Sequence, residues 1–259
     1  MLKIVAITGA GLSVASGIRP YRGPTGVYTE LEEQYGLPIE ELLTYQSFRK
    51  DPDRFWTYWK NMAGAIGEVA PNAAHESLVS ISRKATFLEI TQNVDGLSRA
   101  VGLPDNELIE LHGSAHKHQC TRCGIAHIVE VHSEMEVPRC NTCGDPKNAL
   151  IRPKIVMFNE NIKSEHYKRG FLAAKNADVV LLVGTTMQFG YLADFVSAAL
   201  TSGAYIITID PNAENNVFSD VTLPMTAVDG LALVDSCIDK HVITKGEFIT
   251  LFREKLSHD

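Results

Sequence analysis

The sequence contains no run of about 18 apolar residues, so we expect no helix that spans a membrane. It has no excess of basic residues either, since a net charge of −7 argues against a general nucleic-acid-binding surface. No internal repeat or low-complexity segment occurs. Only one of the five cysteines, Cys237, lies outside two closely spaced pairs, and we expect it in the core. This usage argues against a disulfide framework and predicts a reducing, cytoplasmic location.

The pattern of apolar residues predicts an α/β fold. At 259 residues the chain has room for one large domain or for a domain with a smaller module. Strands alternating with helices predict a parallel sheet covered on both faces. The predicted strands are 2–8, 85–91, 107–111, 154–158, 178–183 and 205–210. Two stretches, 22–70 and 115–151, interrupt this alternation, and we expect them to form one small lobe.

A glycine turn, Gly9-Ala10-Gly11, follows the first predicted strand. Such a turn lets backbone N–H groups approach a pyrophosphate at the start of a helix. It lacks both a full G-x-G-x-x-G pattern and the lysine of a Walker A loop, so it also fits an ordinary strand–helix turn. Tyr21 and Arg22 follow in the same loop. There a ring would cover a nicotinamide and a guanidinium would pair with phosphates, unless the loop is a simple surface turn.

Polar side chains follow other predicted strands, where ligands of parallel sheets bind. Gln92, Asn93 and Asp95 come within four positions, a set suited to a ribose and an amide, although a helix cap alone would explain Asp95. His112 ends a strand and is the best candidate among nine histidines for a general base. Asp210 also ends a strand, where it either binds a ribose or caps a helix.

The cysteines give the strongest local signal. Two C-x-x-C pairs are separated by sixteen residues, 124–139, which is the spacing of a zinc ribbon. Four thiolates form a closed tetrahedral shell with no open position for water, so the zinc is predicted to be structural. The predicted ligands are Cys120, Cys123, Cys140 and Cys143.

Together these motifs resemble those of the sirtuins of bacterial type, the NAD-dependent protein lysine deacylases. The resemblance covers nearly the whole chain. The motifs that carry it are Gly9-Ala10-Gly11-Leu12-Ser13, Ser16-Gly17-Ile18, Arg22-Gly23, Thr91-Gln92-Asn93-Val94-Asp95, Leu111-His112-Gly113, the four cysteines, Arg152-Pro153, Phe158-Asn159-Glu160 and Gly184-Thr185-Thr186.

The resemblance implies a Rossmann-type large lobe over 1–21, 71–114 and 152–259. It implies a small lobe made of a helical insertion over 22–70 and a zinc ribbon over 115–151. NAD is expected between the lobes, with His112 as the catalytic base. The implied cofactor contacts are Gly9, Ala10, Gly11, Ser13, Ile18, Tyr21, Arg22, Gln92, Asn93, Asp95, Gly184, Thr185, Thr186, Asp210 and Ala227. The implied substrate contacts are Val156, Phe158, Asn159, Gln188 and Phe189, with the acyl-lysine protein bound as an extended strand.

The implied reaction transfers the acyl group, by default acetyl, from a protein lysine to ADP-ribose. It releases nicotinamide, free lysine and 2′-O-acyl-ADP-ribose. An alternative is ADP-ribosyl transfer or NAD hydrolysis, in which a protein nucleophile or water attacks the same carbon; a third hypothesis is a non-enzymatic NAD sensor. His112 favours deacylation, because ADP-ribosyl transfer needs no base for a second stage.

The chain departs from the family pattern at several positions. Tyr21 replaces a phenylalanine, Asp210 an asparagine, and Asn159 a glycine whose loss is expected to crowd the peptide backbone. The branch that removes succinyl and malonyl groups has Tyr-x-x-Arg in the helical insertion, where this chain has Trp59 and Met62. Without that arginine, succinyl-lysine is expected to be a poor substrate.

Overall fold

The fold is that of a computed structural model, which describes residues 1–21, 26–66, 69–132, 134–144, 148–213, 218–238 and 244–257. Its strands are β1 (Lys3–Thr8), β2 (Thr86–Thr91), β3 (Leu108–Glu110), β4 (Gly113–Cys120), β5 (Ala126–His127), β6 (Ile151–Ile155), β7 (Val179–Val183), β8 (Tyr205–Ile209) and β9 (Val221–Leu223). Its α-helices are α1 (Val27–Tyr35), α2 (Ile39–Leu42), α3 (Tyr45–Lys50), α4 (Pro52–Ile66), α5 (Ala73–Ser82), α6 (Leu97–Ala100), α7 (Ser164–Lys175), α8 (Gly190–Thr201), α9 (Ala227–Ser236) and α10 (Lys245–Leu256).

Six strands form one parallel sheet in the order β3-β2-β1-β7-β8-β9. This is the strand order of a dinucleotide-binding fold, with its switch point between β1 and β7. All five residues of β7 are buried, because helices cover both faces of the sheet. Helices α5, α9 and α10 pack on one face, and α7 and α8 pack on the other. The predicted α/β class and doubly wound sheet are confirmed.

The helical insertion has a hydrophobic core of its own. Residues of α1 to α4, including Trp56 and Trp59, are buried against one another and against Leu150 and Met157. The first turn of α4 begins with Pro52, which needs no N–H partner at that position. Helix α5 is capped by Asn72, whose side chain accepts a hydrogen bond from the N–H of Ala74.

The cysteine segment forms a three-stranded antiparallel sheet in the order β5-β4-β6. The strand expected at 154–158 lies instead at Ile151–Ile155, and it pairs with β4 rather than joining the parallel sheet. Strand β4, the edge strand β9 and the helix α10 were not predicted. The division of the chain into two lobes stays a prediction. None of the helices in the described ranges has the length and the hydrophobicity that a membrane span requires.

Candidate active site

Two glycine-containing turns meet at the switch point of the parallel sheet. The N–H of Gly9 donates to the carbonyl of Val183 at 3.0 Å, and the N–H of Gly11 donates to the carbonyl of Gly184 at 3.0 Å. A Cβ on Gly11 would lie 2.4 Å from the Cα of Gly184, so a side chain cannot fit there. Gly184 also has a φ of 55°, a conformation that favours glycine. Both turns therefore depend on glycine for their close contact.

Gln92 follows β2 and joins these turns. Its side-chain amide donates to the carbonyl of Thr8 at 3.1 Å and to the hydroxyl of Thr185 at 2.8 Å. Because both amide hydrogens are engaged, the side-chain oxygen is the group left for an incoming hydroxyl. Thr185 lies directly after Gly184, while Thr186 is exposed beyond it.

Asn93 and Asp95 are buried below the first turn. The Asn93 amide donates to the carbonyl of Gly9 at 2.9 Å and to the hydroxyl of Ser13 at 3.3 Å. Its oxygen is buried and has no partner within the described residues. Asp95 accepts from the hydroxyl of Ser13 at 2.7 Å and from the N–H of Leu97, the first residue of α6, at 2.9 Å. The unpartnered oxygen of Asn93 is the feature that most favours a bound polar ligand.

His112 lies between the two sheets, at the junction of β3 and β4. Its Nδ1 donates to the backbone carbonyl of Gln92 at 2.8 Å, since a carbonyl can only accept. Its Nε2 contacts the hydroxyl of Tyr191. Burial lowers the pKa of His112 to about 4, although the Gln92 carbonyl acts in the opposite direction. The imidazole is therefore neutral near pH 7, with its lone pair on Nε2.

Aromatic rings from the loop after β1, from α1 and from the segment after β6 pack against one another. Tyr21 stacks on Tyr28 with centroids 5.0 Å apart, and Tyr28 meets Phe158 edge-on at 6.3 Å. Burial is the main reason that the pKa of Tyr21 is raised well above its ordinary value. Ile18 is buried in the core of the helical insertion. Arg22, predicted beside a phosphate, lies outside the described residues.

The predicted substrate residues lie on two segments. The N–H of Val156 donates to the carbonyl of His112 at 2.8 Å, and that of Phe158 donates to Leu43 at 3.0 Å. Asn159 has a φ of 66°, a left-handed conformation that asparagine tolerates better than most residues. Gln188 and Phe189, on the second segment, are both exposed. The Phe189 ring lies 5.1 Å from that of His112, edge to face.

The remaining predicted cofactor residues lie further along the same sheet edge. Asp210 follows β8 and accepts a hydrogen bond from the N–H of Asn212 at 2.8 Å. It therefore stabilises the turn after β8 and does not cap a helix in the described part of the chain, and its contact with a ribose stays a prediction. Ala227 is the buried first residue of α9, and Ala10 is the first residue of the 3₁₀ helix after β1.

The four predicted metal ligands are brought together at one end of the small sheet. The sulfur atoms of Cys120, Cys123, Cys140 and Cys143 all lie within 4.8 Å of one another. Two of the sulfur–sulfur distances are 3.9 Å. A tetrahedral zinc with bonds of about 2.3 Å requires separations of about 3.8 Å, so the donor set fits one zinc ion. Cys237 is buried in the core formed with α5, α9 and α10, as expected.

Comparison with known proteins shows which family has this arrangement. The model of the Sir2 family matches residues 9–190. The chain belongs to the Sir2 family. It is 36% identical to NAD-dependent protein deacylase 2 of Pseudomonas aeruginosa over 213 residues, 81% of each protein.

Solved structures of Sir2 proteins have the same fold. A Sir2 homologue–NAD complex superposes with a TM-score of 0.77 at 28% identity, covering 98% of this chain and 90% of that one. A Sir2 complex with a p53 peptide and NAD⁺ superposes with a TM-score of 0.75 at 25% identity, covering 90% and 92%. The residues of this Sir2-family chain fit NAD, because the buried side-chain oxygen of Asn93 has no partner within the described residues.

Two polar contacts near the site were not predicted. Tyr191 contacts His112 from 79 residues away, and no sequence signal links the two. Thr8 donates to the buried carboxyl of Glu89 at 2.7 Å, beneath the glycine turn. Burial raises the pKa of Glu89 to about 7, although the hydrogen bond from Thr8 opposes that shift. The sequence signal that indicates this buried carboxyl is an acidic residue within an otherwise apolar strand.

Proposed function

We propose that this chain is an NAD-dependent protein lysine deacylase, with deacetylation as its default activity. Its products are nicotinamide, free lysine and 2′-O-acyl-ADP-ribose. One observation carries the proposal: the unprotonated Nε2 of His112 lies at the same end of the sheet as the paired glycine turns. Family membership and the names of the relatives support it.

NAD, when bound, supplies a glycosidic carbon from which nicotinamide departs. His112 accepts a proton from a ribose hydroxyl through Nε2, while the Gln92 carbonyl holds the opposite ring nitrogen. Tyr21, backed by the Tyr28 ring, shields the reacting carbon from water. The side-chain oxygen of Gln92 and that of Asn93 accept hydrogen bonds from the cofactor, because their amide hydrogens already have partners.

The cofactor contacts follow from the same arrangement. The phosphates are proposed to lie against the two glycine turns at the switch point of the parallel sheet, where ligands of such sheets bind. The residues proposed to contact NAD are Gly9, Ala10, Gly11, Ser13, Ile18, Tyr21, Arg22, Gln92, Asn93, Asp95, Gly184, Thr185, Thr186, Asp210 and Ala227.

The substrate is an acyl-lysine side chain of a protein, bound as an extended strand. Its backbone is proposed to lie between the segment after Phe158 and the segment Gln188–Gly190. Val156 and Phe158 form apolar walls for the lysine. Trp59 and Met62 are both buried in the helical core, so neither position offers a cation to an acyl carboxylate. We therefore expect acetyl-lysine to react faster than succinyl-lysine.

The zinc site has a structural role in this proposal. The four sulfurs complete a tetrahedral shell beside a small buried cluster that contains Cys120, Cys140, Ala149 and Ile151. The proposed location is cytoplasmic, because the cysteines serve as metal ligands rather than as disulfides. The large lobe comprises 1–21, 71–114 and 152–259, with 22–70 and 115–151 as the small lobe.

Incubation with NAD and an acetyl-lysine peptide, followed by mass spectrometry, tests the activity. We expect O-acetyl-ADP-ribose from the wild type and a loss of about 10²-fold or more in His112→Ala, since the variant lacks the base. His166→Ala is the matched control, because it removes a partly buried histidine on α7. Free ADP-ribose or modified protein without deacetylation would favour the alternative reaction, and normal turnover by His112→Ala would contradict the assigned base.

A further inference from the structure

The hydroxyl of Tyr191 occupies the position that a substrate hydroxyl must take. It contacts Nε2 of His112, on the opposite side of the ring from the Gln92 carbonyl. Because Nδ1 holds the proton of the neutral ring, Nε2 can only accept, and Tyr191 is the donor. Burial raises the pKa of Tyr191, so the phenol keeps its proton at neutral pH.

We propose that Tyr191 is a positioning residue for His112. Its hydroxyl donates to Nε2, holds the imidazole ready while the cleft is empty, and gives up this position when a ribose hydroxyl arrives. The inference rests on the proposed deacylase function, because that function makes Nε2 the atom that accepts the proton.

The surrounding rings fix the position of the Tyr191 side chain. Tyr191 stacks on Phe189 with centroids 5.5 Å apart and nearly parallel planes, and it meets Phe195 at 6.4 Å. These contacts involve the ring and not the hydroxyl. Removing the hydroxyl alone therefore leaves the packing in place and isolates the contact with His112.

The hydrogen bond has a defined effect on the base. A donor to Nε2 stabilises the neutral imidazole, so removing it favours the imidazolium. Burial lowers the pKa of His112 and the Gln92 carbonyl opposes that shift, while no charged side chain in the described part of the chain contributes to it. The change Tyr191→Phe should raise the pKa of His112 by about one unit, the shift that a single ordinary hydrogen bond produces.

Nuclear magnetic resonance of the histidine side chains, recorded without NAD, tests this directly. His112→Ala assigns the signal, and a pH titration then follows the two ring nitrogens in the wild type and in Tyr191→Phe. Tyr167→Phe is the matched control, because Tyr167 also packs on Phe195 but donates its hydroxyl to Asp194 at 3.0 Å. We expect Nδ1 protonated in the wild type, a higher pKa in Tyr191→Phe and no change in Tyr167→Phe.

The affinity for NAD gives a second readout. Because the wild type must break the contact between Tyr191 and His112, Tyr191→Phe should bind NAD about three- to tenfold more tightly. An unchanged titration of His112, or weaker NAD binding by Tyr191→Phe, would overturn the proposal. If none of the proteins bound NAD, the proposed function would fail, whereas the titration would still decide whether Tyr191 positions His112.

Discussion

The backbone carbonyl of Gln92 accepts a hydrogen bond from Nδ1 of His112 at 2.8 Å. The same residue uses its side chain to bind Thr185. Gln92, which directly follows β2, thus fixes the tautomer of the proposed base and also contacts the turn after β7. Orientation of a histidine by a second group is what allows it to accept a proton at a defined atom.

The low pKa of His112 predicts how kcat/KM for NAD depends on pH below neutrality. Burial lowers this pKa to about 4, so the base stays neutral well below pH 6.5. We expect kcat/KM for NAD to change little between pH 7.5 and about 5.5, where a histidine of ordinary pKa would lose roughly tenfold. Circular dichroism at each pH checks that the fold persists. A decline centred near pH 6.5 would contradict the buried, neutral base.

Much of the parallel sheet was predictable, because its strands are apolar on both faces. Val179–Val183 is one such strand, and its residues are all buried. Strand β4 was not predictable, since Gly113–Cys120 carries two histidines, a lysine and a glutamine and shows no apolar alternation. It is a strand because β5 and β6 pair with it, and pairing partners cannot be read from composition.

Some contacts of the candidate site could also be predicted from the sequence, and others could not. Gln92 and Thr185 follow parallel strands, and the ends of such strands meet at one edge, so their proximity could be expected. The contact between His112 and Tyr191 depends on how α8 packs against the sheet, which the local sequence does not specify. The zinc ligands were predictable because their spacing is itself the chemical signal.

The contact between the two glycine turns predicts a large effect of one methyl group. In Gly11→Ala the new Cβ would lie 2.4 Å from the Cα of Gly184, so one of the two backbones must move. We expect the free energy of unfolding to fall by about 1–3 kcal/mol, together with loss of NAD binding. Urea denaturation measures the first effect and calorimetric titration the second.

Gly64→Ala is the control for this prediction. Gly64 lies within α4 and has no neighbouring atom within 4 Å of a new Cβ. Alanine should therefore stabilise the protein by roughly 0.5–1 kcal/mol through helix propensity. Equal effects of the two substitutions would show that the close contact of the turns is not what requires glycine.

The cysteine cluster predicts one zinc ion per chain that stabilises the small sheet. Cys143→Ser should release the metal, since it removes one of four ligands, and should increase hydrogen exchange in β4 and β6 but not in β1. Metal analysis and hydrogen-exchange mass spectrometry measure the two effects. Cys237→Ser is the control, because this buried cysteine lies outside the cluster. Retention of zinc by Cys143→Ser, with unchanged exchange, would refute the assignment.

The buried carboxyl of Glu89 predicts a dependence of stability on pH. Burial raises its pKa from 4.5 to about 7, so the folded protein holds a proton there that the unfolded chain releases. The contribution of Glu89 to the free energy of unfolding is fully present below pH 4.5 and is lost as the pH rises to about 7, a change on the order of 3 kcal/mol. Glu89→Gln cannot ionise, so relative to the wild type it should gain that stability between pH 4.5 and 8. Urea unfolding at several pH values measures the difference, with Glu254→Gln, which removes an exposed carboxyl, as the control. If the free energy of unfolding depended on pH in the same way in the wild type and in Glu89→Gln, Glu89 would ionise in the folded protein as it does in the unfolded chain.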